Sequence, residues 1–213
     1  MFYNPKLKTI YRRDENFKVI PGEYTDPRFG LVKNWIATET VDGTSVVLRW
    51  NAHDFPEFGG RTAKSHFADD RTEFLQVQLY SAQQAAMKIV DEFGIDSLSV
   101  YAEMYGPGIQ SGGRYTDEYE LRVFDMRVND YWLDFHRVID NCDRLGFESV
   151  PVMNNYFPLD EFDIVEMVRD GFVSCIAHDR DYLAEGIVAR TDPLLYDNKG
   201  DRVMWKIKHS DFA

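Results

Sequence analysis

Two lysines late in the chain, Lys206 and Lys208, have the type and spacing to bind an anion. They belong to the stretch RVMWKIKH, whose alternating apolar residues predict a β-strand. Side chains two positions apart on a strand point to the same face, and Trp205 and Ile207 would make the opposite face apolar. Two neighbouring ammonium groups repel each other unless an anion lies between them. The spacing therefore favours a phosphate site, with a solvated outer face as the structural alternative.

Carboxylates and aromatic rings on other predicted strands are suited to binding a nucleoside. In the stretch YAEMYGPGIQ, strand alternation places Tyr101, Glu103 and Tyr105 on one face. Glu103 could accept hydrogen bonds from ribose hydroxyls, or be an ordinary glutamate on an edge strand. Phe124, in LRVFDMRV, could stack on a base or lie in the core. Glu185 directly precedes the strand predicted by EGIVAR and is a further candidate.

Two earlier stretches supply a turn and a basic loop. ATETVDGTSVVLRW contains two β-rich runs around Asp42-Gly43, which is the strongest short-range signal for a β-hairpin. A hairpin turn without chemistry would have the same residues. GGRTAKSHF places Arg61 and Lys64 on a glycine-containing loop, where a solvated arginine is the usual case. Neither stretch indicates a function by itself; the indication comes from the order of all these stretches along the chain.

The remaining pattern predicts an α+β protein with largely antiparallel sheets flanked by helices. Helical spacing of apolar residues from Thr72 to Phe93 predicts one helix that ends at Gly94. WLDFHRVIDNCDRLG and LDEFDIVEMVRDG predict two further helices, each closed by glycine. SLSVYAEMYG and YELRVFDMRV alternate like half-buried strands. No repeat or linker divides the sequence, so we expect one domain over residues 1–213.

Composition limits the possible partners. The 213 residues carry a net charge of −12, which excludes a protein that coats nucleic acid with its whole surface but leaves room for a local phosphate site. Cys142 and Cys175 have no metal-ligand spacing and are expected to be reduced and structural. No apolar run approaches the roughly 18 residues of a membrane span, and the basic start lacks the apolar segment of a secretory signal. We expect a cytoplasmic protein without membrane contact.

Taken in chain order, these pieces resemble the motifs of the covalent nucleotidyltransferases, which are the ATP-dependent RNA and DNA ligases and the messenger RNA capping enzymes. The resemblance runs from about Trp35 to Lys208. It is strongest to the RNA ligases, above all the second RNA ligase class of T-even-type phages, because YAEMYGPGIQ, VFD, EGIVAR and WKIK are similar to that group's motifs. It implies a nucleotidyltransferase domain with an ATP-grasp-like ligase core. The phage RNA ligases usually have an additional C-terminal domain, which we do not expect here because only five residues follow Lys208.

The resemblance also implies a role for each motif residue. Position 40 would hold the lysine that attacks ATP, and Lys206 and Lys208 would neutralise the triphosphate, Lys208 nearest the α-phosphate. The residues that would contact ATP or AMP are Glu39 beside adenine, Phe124 stacked on it, Glu103 at the ribose, Glu185 at the ribose or a divalent metal, Asp42, Gly43 and Ser45 in the nucleophile motif, and Arg61 on phosphate. The implied metal is Mg²⁺ or Mn²⁺.

The chemistry implied by the resemblance has three steps. A lysine takes AMP from ATP as a phosphoramidate and releases pyrophosphate. AMP then passes to the 5′-phosphate of RNA. Finally a 3′-hydroxyl attacks the activated 5′-phosphate, AMP leaves, and the strand is sealed. The partners are therefore ATP and RNA ends with a 5′-phosphate and a 3′-hydroxyl.

Thr40 departs from this pattern at the nucleophile position. Its hydroxyl reaches roughly 4 Å less far than a lysine amine, and an unactivated hydroxyl is a weak nucleophile. No histidine is nearby in sequence to act as a base, and nothing indicates that Lys33 substitutes. We expect the first step to be defective in this chain, while joining of RNA that already carries AMP does not need the lysine. Threonine is either a change in an otherwise intact ligase or the mark of a natural pseudo-ligase.

Two alternatives to an RNA ligase remain. A DNA ligase or capping enzyme would normally carry an OB-type domain after the fifth motif, and only five residues follow Lys208. A catalytically inactive module that binds nucleotide or RNA ends would be consistent with Thr40 and the acidic balance. A ligase of this minimal length either needs a separate partner for RNA-end recognition, is the catalytic domain alone, or binds its RNA weakly. If the protein is encoded by a phage, its compartment is the host cytoplasm.

Overall fold

The computed structural model describes residues 6–62, 64–153 and 159–212. The chain is α+β, with eleven strands and four α-helices in these described residues. It divides into two compact units. The terminal unit contains residues 6–41, 150–153 and 159–212, and the central unit contains residues 42–62 and 64–149. The predicted α+β class with largely antiparallel sheets is confirmed, because β1 (Lys8–Thr9) and β11 (Met204–Lys208) are the only parallel neighbours among the described strand pairs.

The terminal unit is built on a four-stranded sheet in the order β1-β11-β10-β4. A two-stranded ribbon of β2 and β3 and one α-helix complete it. Its elements are β1 (Lys8–Thr9), β2 (Tyr11–Arg13), β3 (Val19–Tyr24), a 3₁₀ helix (Pro27–Leu31), β4 (Trp35–Thr40), α4 (Glu161–Asp170), β10 (Gly186–Thr191), β11 (Met204–Lys208) and a second 3₁₀ helix (His209–Asp211).

One face of this sheet forms the apolar core of the terminal unit. Trp35 on β4 and Trp205 on β11 are fully buried and meet edge to face, with ring centroids 5.4 Å apart. Ile187 on β10 joins them, and Ile164 and Val168 of α4 belong to the same cluster. Because alternate strand residues point to opposite faces, the intervening residues of β4, β10 and β11 face the other side of the sheet. The candidate residues of this unit lie mainly on that second face.

The central unit is built on a five-stranded antiparallel sheet in the order β6-β5-β7-β8-β9. Helices α2 and α3 pack against its strands, and α1 contacts α2. The elements are β5 (Thr44–Asn51), β6 (Glu57–Gly60), α1 (Asp69–Ser81), α2 (Gln83–Phe93), β7 (Ser97–Tyr105), a 3₁₀ helix (Gly112–Arg114), β8 (Glu120–Val128), β9 (Tyr131–Trp132) and α3 (Phe135–Leu145).

Two strands of the central sheet differ in burial. On β7 every residue except Glu103 is buried, so the expectation of a half-buried strand is wrong there. The apolar residues Leu98, Val100 and Met104 fill one face, and the more polar second face is covered as well. On β8 burial alternates up to Asp125, as predicted.

The predicted hairpin around Asp42-Gly43 is wrong, although both of its strands are present. β4 pairs with β10, whereas β5 pairs with β6 and β7. A two-residue hairpin of the favoured type needs left-handed backbone at both turn residues. Neither Asp42 nor Gly43 has it. The chain therefore leaves one sheet at Thr40 and enters another at Thr44.

The predicted helix from Thr72 to Phe93 is two helices. It begins earlier, at Asp69, and is interrupted at Ala82, where ψ is −7° rather than helical. The hydroxyl of Ser81 donates to the carbonyl oxygen of Gln78 at 3.0 Å, which competes with the helical hydrogen bonds. The predicted stop at Gly94 is confirmed by its left-handed backbone, but Phe93 is 60% exposed rather than buried.

The remaining helices agree with their sequence signals to within a turn. α3 begins at Phe135 after the cap residue Asp134, because Trp132 belongs to β9. α4 begins after Asp160, whose carboxylate accepts a hydrogen bond from a backbone N–H of the first turn. Both described cysteines are free, as expected; Cys142 is buried, and Cys175 is exposed.

Candidate functional site

The register of the terminal sheet places Thr40 on the same face as the two lysines. Thr40 lies opposite Gly186, and Gly186 lies opposite Lys208. Lys206, two positions before Lys208 on β11, belongs to the next row of residues on this face. Residues opposite each other on neighbouring strands share a face, and strands are about 4.8 Å apart, so the backbones of Thr40 and Lys208 are roughly 10 Å apart. The predicted common face of Lys206 and Lys208 is confirmed, as is the apolar opposite face with Trp205 and Ile207 fully buried.

Gly186 occupies the centre of this row, and sequence reasoning did not single it out. A Cβ atom on Gly186 would lie 2.2 Å from the carbonyl oxygen of Ile207 and 2.7 Å from the Cα of Lys208. Real carbon atoms do not approach so closely, so only glycine permits this approach of β10 to β11. The signal was available, because a glycine inside a strand pattern often marks a close backbone approach.

Lys208 is held by a carboxylate from the neighbouring strand end. Its ammonium group forms an ion pair with Oε1 of Glu185, the residue directly before β10. The carbonyl oxygen of Glu185 accepts a hydrogen bond from the backbone N–H of His209 at 2.9 Å. The side chains of Glu185 and Lys208 are 17% and 32% exposed, so both groups are partly open to a ligand. The structure thus brings together two residues that the sequence assigned to phosphate and metal or ribose.

The hydroxyl of Thr40 has no activating neighbour among the described residues. Its Oγ1 atom is buried and has no hydrogen-bond partner in the described part of the chain. A general base must lie within hydrogen-bond reach of the proton that it removes. That this hydroxyl is a poor nucleophile stays a prediction.

Glu39 lies on the opposite face of β4 from Thr40. It is 1% exposed, and its carboxylate accepts hydrogen bonds from the hydroxyl of Ser174 at 2.5 Å and from the backbone N–H of Cys175 at 2.8 Å. Partial burial and the negative charge of Glu39 raise the pKa of the Cys175 thiol. The carboxylate thus anchors the segment that follows α4. A place beside adenine stays a prediction for Glu39.

In the central unit, Asp42 and Gly43 are fixed by a glycine-rich loop and by β7. Oδ2 of Asp42 accepts a hydrogen bond from the backbone N–H of Ser111 at 3.2 Å. The hydroxyl of Tyr115 lies 3.5 Å from the backbone nitrogen of Asp42. A Cβ atom on Gly43 would lie 2.4 Å from the carbonyl oxygen of Met104. Glycine is therefore needed at position 43 for close approach to β7 and not for a hairpin turn.

Ser45 and Glu103 share a face of the central sheet with a row of polar residues. Ser45 lies opposite Glu103, and Glu103 lies opposite Arg122 on β8. Tyr101, Glu103 and Tyr105 share this face, as predicted. The hydroxyl of Tyr105 donates to Glu120 at 2.6 Å; burial, followed by this hydrogen bond, raises the tyrosine pKa. The face therefore combines a partly exposed carboxylate with fixed polar groups.

Phe124 is the extra residue of a β-bulge on β8. Ala102 pairs with Val123 and Tyr101 pairs with Asp125, so Phe124 lies between two paired positions. Bulges redirect a side chain and are frequent beside functional sites. Phe124 is partly exposed and not fully buried in the core. The stacking role of Phe124 stays a prediction, and the bulge itself had no sequence signal.

Arg61 and Lys64 are exposed in the loop after β6. Next to them, the backbone N–H of Thr62 donates to the hydroxyl of Ser65 at 3.2 Å, which tightens the loop. No group of three or more histidine, cysteine, aspartate or glutamate side chains is arranged to hold a metal ion within the described ranges. Within those ranges there is also no helix long and apolar enough to span a membrane.

The fold and a match to a family model define the class of protein. Antiparallel and mixed sheets with four helices form the nucleotidyltransferase fold of RNA ligases, in the part of the chain described here. The family model described as RNA ligase matches residues 33–208, and the chain belongs to the RNA ligase family. No curated protein matches the chain significantly.

Three solved structures illustrate the likeness of fold. A mutant of the Naegleria gruberi RNA ligase with ATP and Mn is 15% identical, with a TM-score of 0.60 over 94% of this chain and 55% of that chain. A second mutant with AMP and Mn is 13% identical, with a TM-score of 0.64 over 98% and 56%. The same ligase with PPi is 15% identical, with a TM-score of 0.61 over 99% and 63%. This chain thus spans between 55% and 63% of the solved chains that it matches here.

Proposed function

We propose that this chain acts as an ATP-dependent RNA ligase of the covalent nucleotidyltransferase type, with residues 1–213 forming one ligase-type domain. The observation that carries the proposal is the row of Thr40, Gly186 and Lys208, with Lys206 on the same face, in a chain of the RNA ligase family. The motif resemblance makes position 40 the proposed nucleophile position, and two cations on the same face are suited to neutralising phosphate.

ATP is the proposed nucleotide, and the motif resemblance implies which residues would contact it. Lys206 and Lys208 would neutralise the triphosphate, since ammonium groups stabilise negative charge on a transferring phosphoryl group. In the central unit, Glu103 would accept hydrogen bonds from ribose and Phe124 would stack on adenine. The proposed further contacts are Glu39, Asp42, Gly43, Ser45 and Arg61. Solved Naegleria gruberi RNA ligases that share the fold hold ATP or AMP.

The residues present suit a divalent metal that is bound largely through phosphate. Mg²⁺ usually keeps several waters and binds one or two protein carboxylates together with substrate phosphates. Glu185 provides such a carboxylate beside Lys208. When bound, Mg²⁺ or Mn²⁺ supplies additional charge neutralisation at phosphate. Solved Naegleria gruberi ligases contain Mn.

Thr40 should block only the first step. The buried hydroxyl has no base within reach in the described residues and is shorter than a lysine side chain. The joining step starts from RNA that already carries AMP on its 5′-phosphate. There the 3′-hydroxyl of the second strand attacks the activated phosphorus, the new phosphodiester forms, the bond to AMP breaks, and AMP leaves with the electron pair. No enzyme lysine forms a covalent bond in this step.

The test is the joining of pre-adenylated RNA by the chain as it exists. We expect ligation to a 3′-hydroxyl strand in the presence of Mg²⁺ and no AMP adduct of the protein with α-labelled ATP. Lys208→Ala should reduce joining by at least about tenfold, because a charge-assisted contact to phosphate is worth roughly 1.5–3 kcal/mol. Lys88→Ala, at an exposed position of α2, is the matched control and should not change the rate. Absence of joining by the folded parent chain would refute the ligase proposal.

A second candidate function rests on Thr40 alone. A pseudo-ligase would bind ATP or RNA ends without transferring AMP. Calorimetry would then show ATP binding that depends on Lys208, while pre-adenylated RNA would remain unjoined. Pre-adenylated DNA in the same assay tests the DNA ligase alternative, which predicts joining of DNA in preference to RNA.

The proposal also includes the subgroup of RNA ligases, the cellular compartment and a partner for RNA-end recognition. The motif resemblance supports a relative of the second RNA ligase class of T-even-type phages, working in the cytoplasm, or in the host cytoplasm if a phage encodes it. Recognition of RNA ends would involve a separate partner. Adding candidate partner proteins to the joining assay and measuring the KM for RNA tests this last point, because a partner that supplies end recognition should lower KM.

A further inference from the structure

We infer that the ion pair between Arg13 and Asp211 positions Lys208 for its contact with phosphate. Arg13 ends β2, and Asp211 closes the 3₁₀ helix that follows β11. Neither residue belongs to the motifs that the sequence singled out. The inference rests on the proposed function, since it assigns a positioning role in the same phosphate contact.

Asp211 connects the arginine to the lysine through its two carboxylate oxygens. Oδ1 accepts a hydrogen bond from Nη2 of Arg13 at 2.5 Å, and Oδ2 accepts one from the backbone N–H of Lys208 at 2.9 Å. Asp211 is 5% exposed, so its charge is largely removed from water. A buried carboxylate needs such a partner. The Arg13 guanidinium is therefore the ion-pair partner of this buried carboxylate.

The hydrogen-bond pattern of the sheet explains why the backbone N–H of Lys208 needs Asp211 as its acceptor. The backbone N–H of His209 donates to Glu185, which makes Lys208 and Gly186 a pair without mutual hydrogen bonds. The N–H of Lys208 consequently points away from β10, toward the side of β1. β1 reaches only to Thr9, which lies opposite Lys206. Asp211 thus accepts from an N–H that lies beyond the end of the neighbouring strand.

Lys208 is in this way fixed at both ends. Asp211 holds its backbone, and Glu185 holds its ammonium group. Arg13 also neutralises Asp211, so the carboxylate adds no net negative charge near a bound phosphate. Removal of either partner of the pair should allow the end of β11 to move, and with it the ammonium group of Lys208.

The experiment is calorimetric titration of the parent chain with ATP and Mg²⁺, which reports equilibrium binding if Thr40 forms no adduct. Asp211→Asn preserves an oxygen for the N–H of Lys208 but removes the ion pair, and Arg13→Met removes the same pair from the other side. We expect each to weaken ATP binding by roughly threefold to tenfold, against at least about tenfold for Lys208→Ala. Asp211→Ala, which also removes the acceptor, should have the larger effect of the two Asp211 variants.

The decisive measurement is the ATP affinity of Asp211→Asn in a chain that also carries Lys208→Ala. If Asp211 acts through Lys208, Asp211→Asn should have no further effect on ATP affinity in the Lys208→Ala background. Asp26→Asn is the matched control, because Asp26 is another buried, ion-paired aspartate of the terminal unit. It should lower thermal stability without changing ATP affinity.

The possible failures are distinguishable. If Lys208→Ala leaves ATP affinity unchanged, the proposed phosphate contact is wrong. If Lys208→Ala weakens binding but Asp211→Asn does not, or weakens it equally with and without Lys208, the positioning role is wrong while the proposed function stands. If Asp26→Asn weakens ATP binding as much as Asp211→Asn, the effect is one of general stability, and the positioning role is again overturned.

Discussion

Substitution of Gly186 by alanine tests whether β10 and β11 approach as closely as the proposed site requires. The added Cβ would lie 2.2 Å from the carbonyl oxygen of Ile207 and 2.7 Å from the Cα of Lys208. Carbon atoms make their best contact at about 3.5–4.0 Å, so the strands would have to separate locally by roughly 1 Å. Both contacts are with backbone, which cannot rotate away as a side chain can.

Two quantities should change. Overpacking of this kind costs about 1–3 kcal/mol of the free energy of unfolding. A shift of about 1 Å at a phosphate-binding group reduces a catalytic rate on the order of 100-fold. We therefore expect Gly186→Ala to remain folded but to lose most of its ability to join pre-adenylated RNA. Urea unfolding measures the first quantity, and the rate of joining with saturating RNA measures the second.

Gly113→Ala is the matched control for this substitution. A Cβ atom on Gly113 would meet its nearest neighbour, the Cα of Pro107, at 3.5 Å, which is ordinary van der Waals contact. Its unfolding free energy should change by about 0.5 kcal/mol or less. If Gly186→Ala equals the parent chain in both stability and joining rate, the close approach of the strands does not exist. If stability falls but the rate is preserved, the position of Lys208 does not govern joining.

Two further predictions concern stability. A side-chain hydrogen bond from Arg28 lowers the pKa of Asp26 in the folded chain, so its stabilisation is present above the unfolded pKa of about 3.9 and is lost as the pH falls below it. Asp26→Asn should cost about 1–3 kcal/mol at pH 7 and should make urea unfolding less sensitive to acid; equal acid sensitivity would contradict this. Ser174→Ala should cost about 1–3 kcal/mol, because the hydroxyl bridges Glu39 and two backbone N–H groups. Ser81→Ala, which removes an exposed hydroxyl, is the control. If the urea midpoint of Ser174→Ala is no lower than that of Ser81→Ala, the hydrogen bonds of Ser174 do not stabilise the fold.

The features that could be predicted from the sequence are those that follow from local periodicity. The common face of Lys206 and Lys208 follows from the two-residue period of a strand, and so does the common face of Glu103 with Tyr101 and Tyr105. Glycine stops at the ends of helices are equally local. For these features, neighbouring residues contain all of the necessary information.

The features that could not be predicted depend on pairing across the chain. Asp42-Gly43 has the residues of a hairpin, yet β4 and β5 pair with strands much further along the sequence, because burial in two sheets outweighs a local turn preference. The bulge at Phe124 depends on the register between β7 and β8. Arg13 and Asp211 are 198 positions apart, and only the folded sheet brings them together.

Self-adenylylation of Thr40→Lys is the most direct test of the central claim, that position 40 is the nucleophile position of a nucleotidyltransferase. The lysine would share a face with Lys206 and Lys208 and would reach roughly 4 Å further than threonine. With α-labelled ATP and Mg²⁺ on a denaturing gel, we expect a labelled protein band from Thr40→Lys and none from the parent chain. A labelled band from the parent, or no band from a folded Thr40→Lys variant that binds ATP, would contradict the claim.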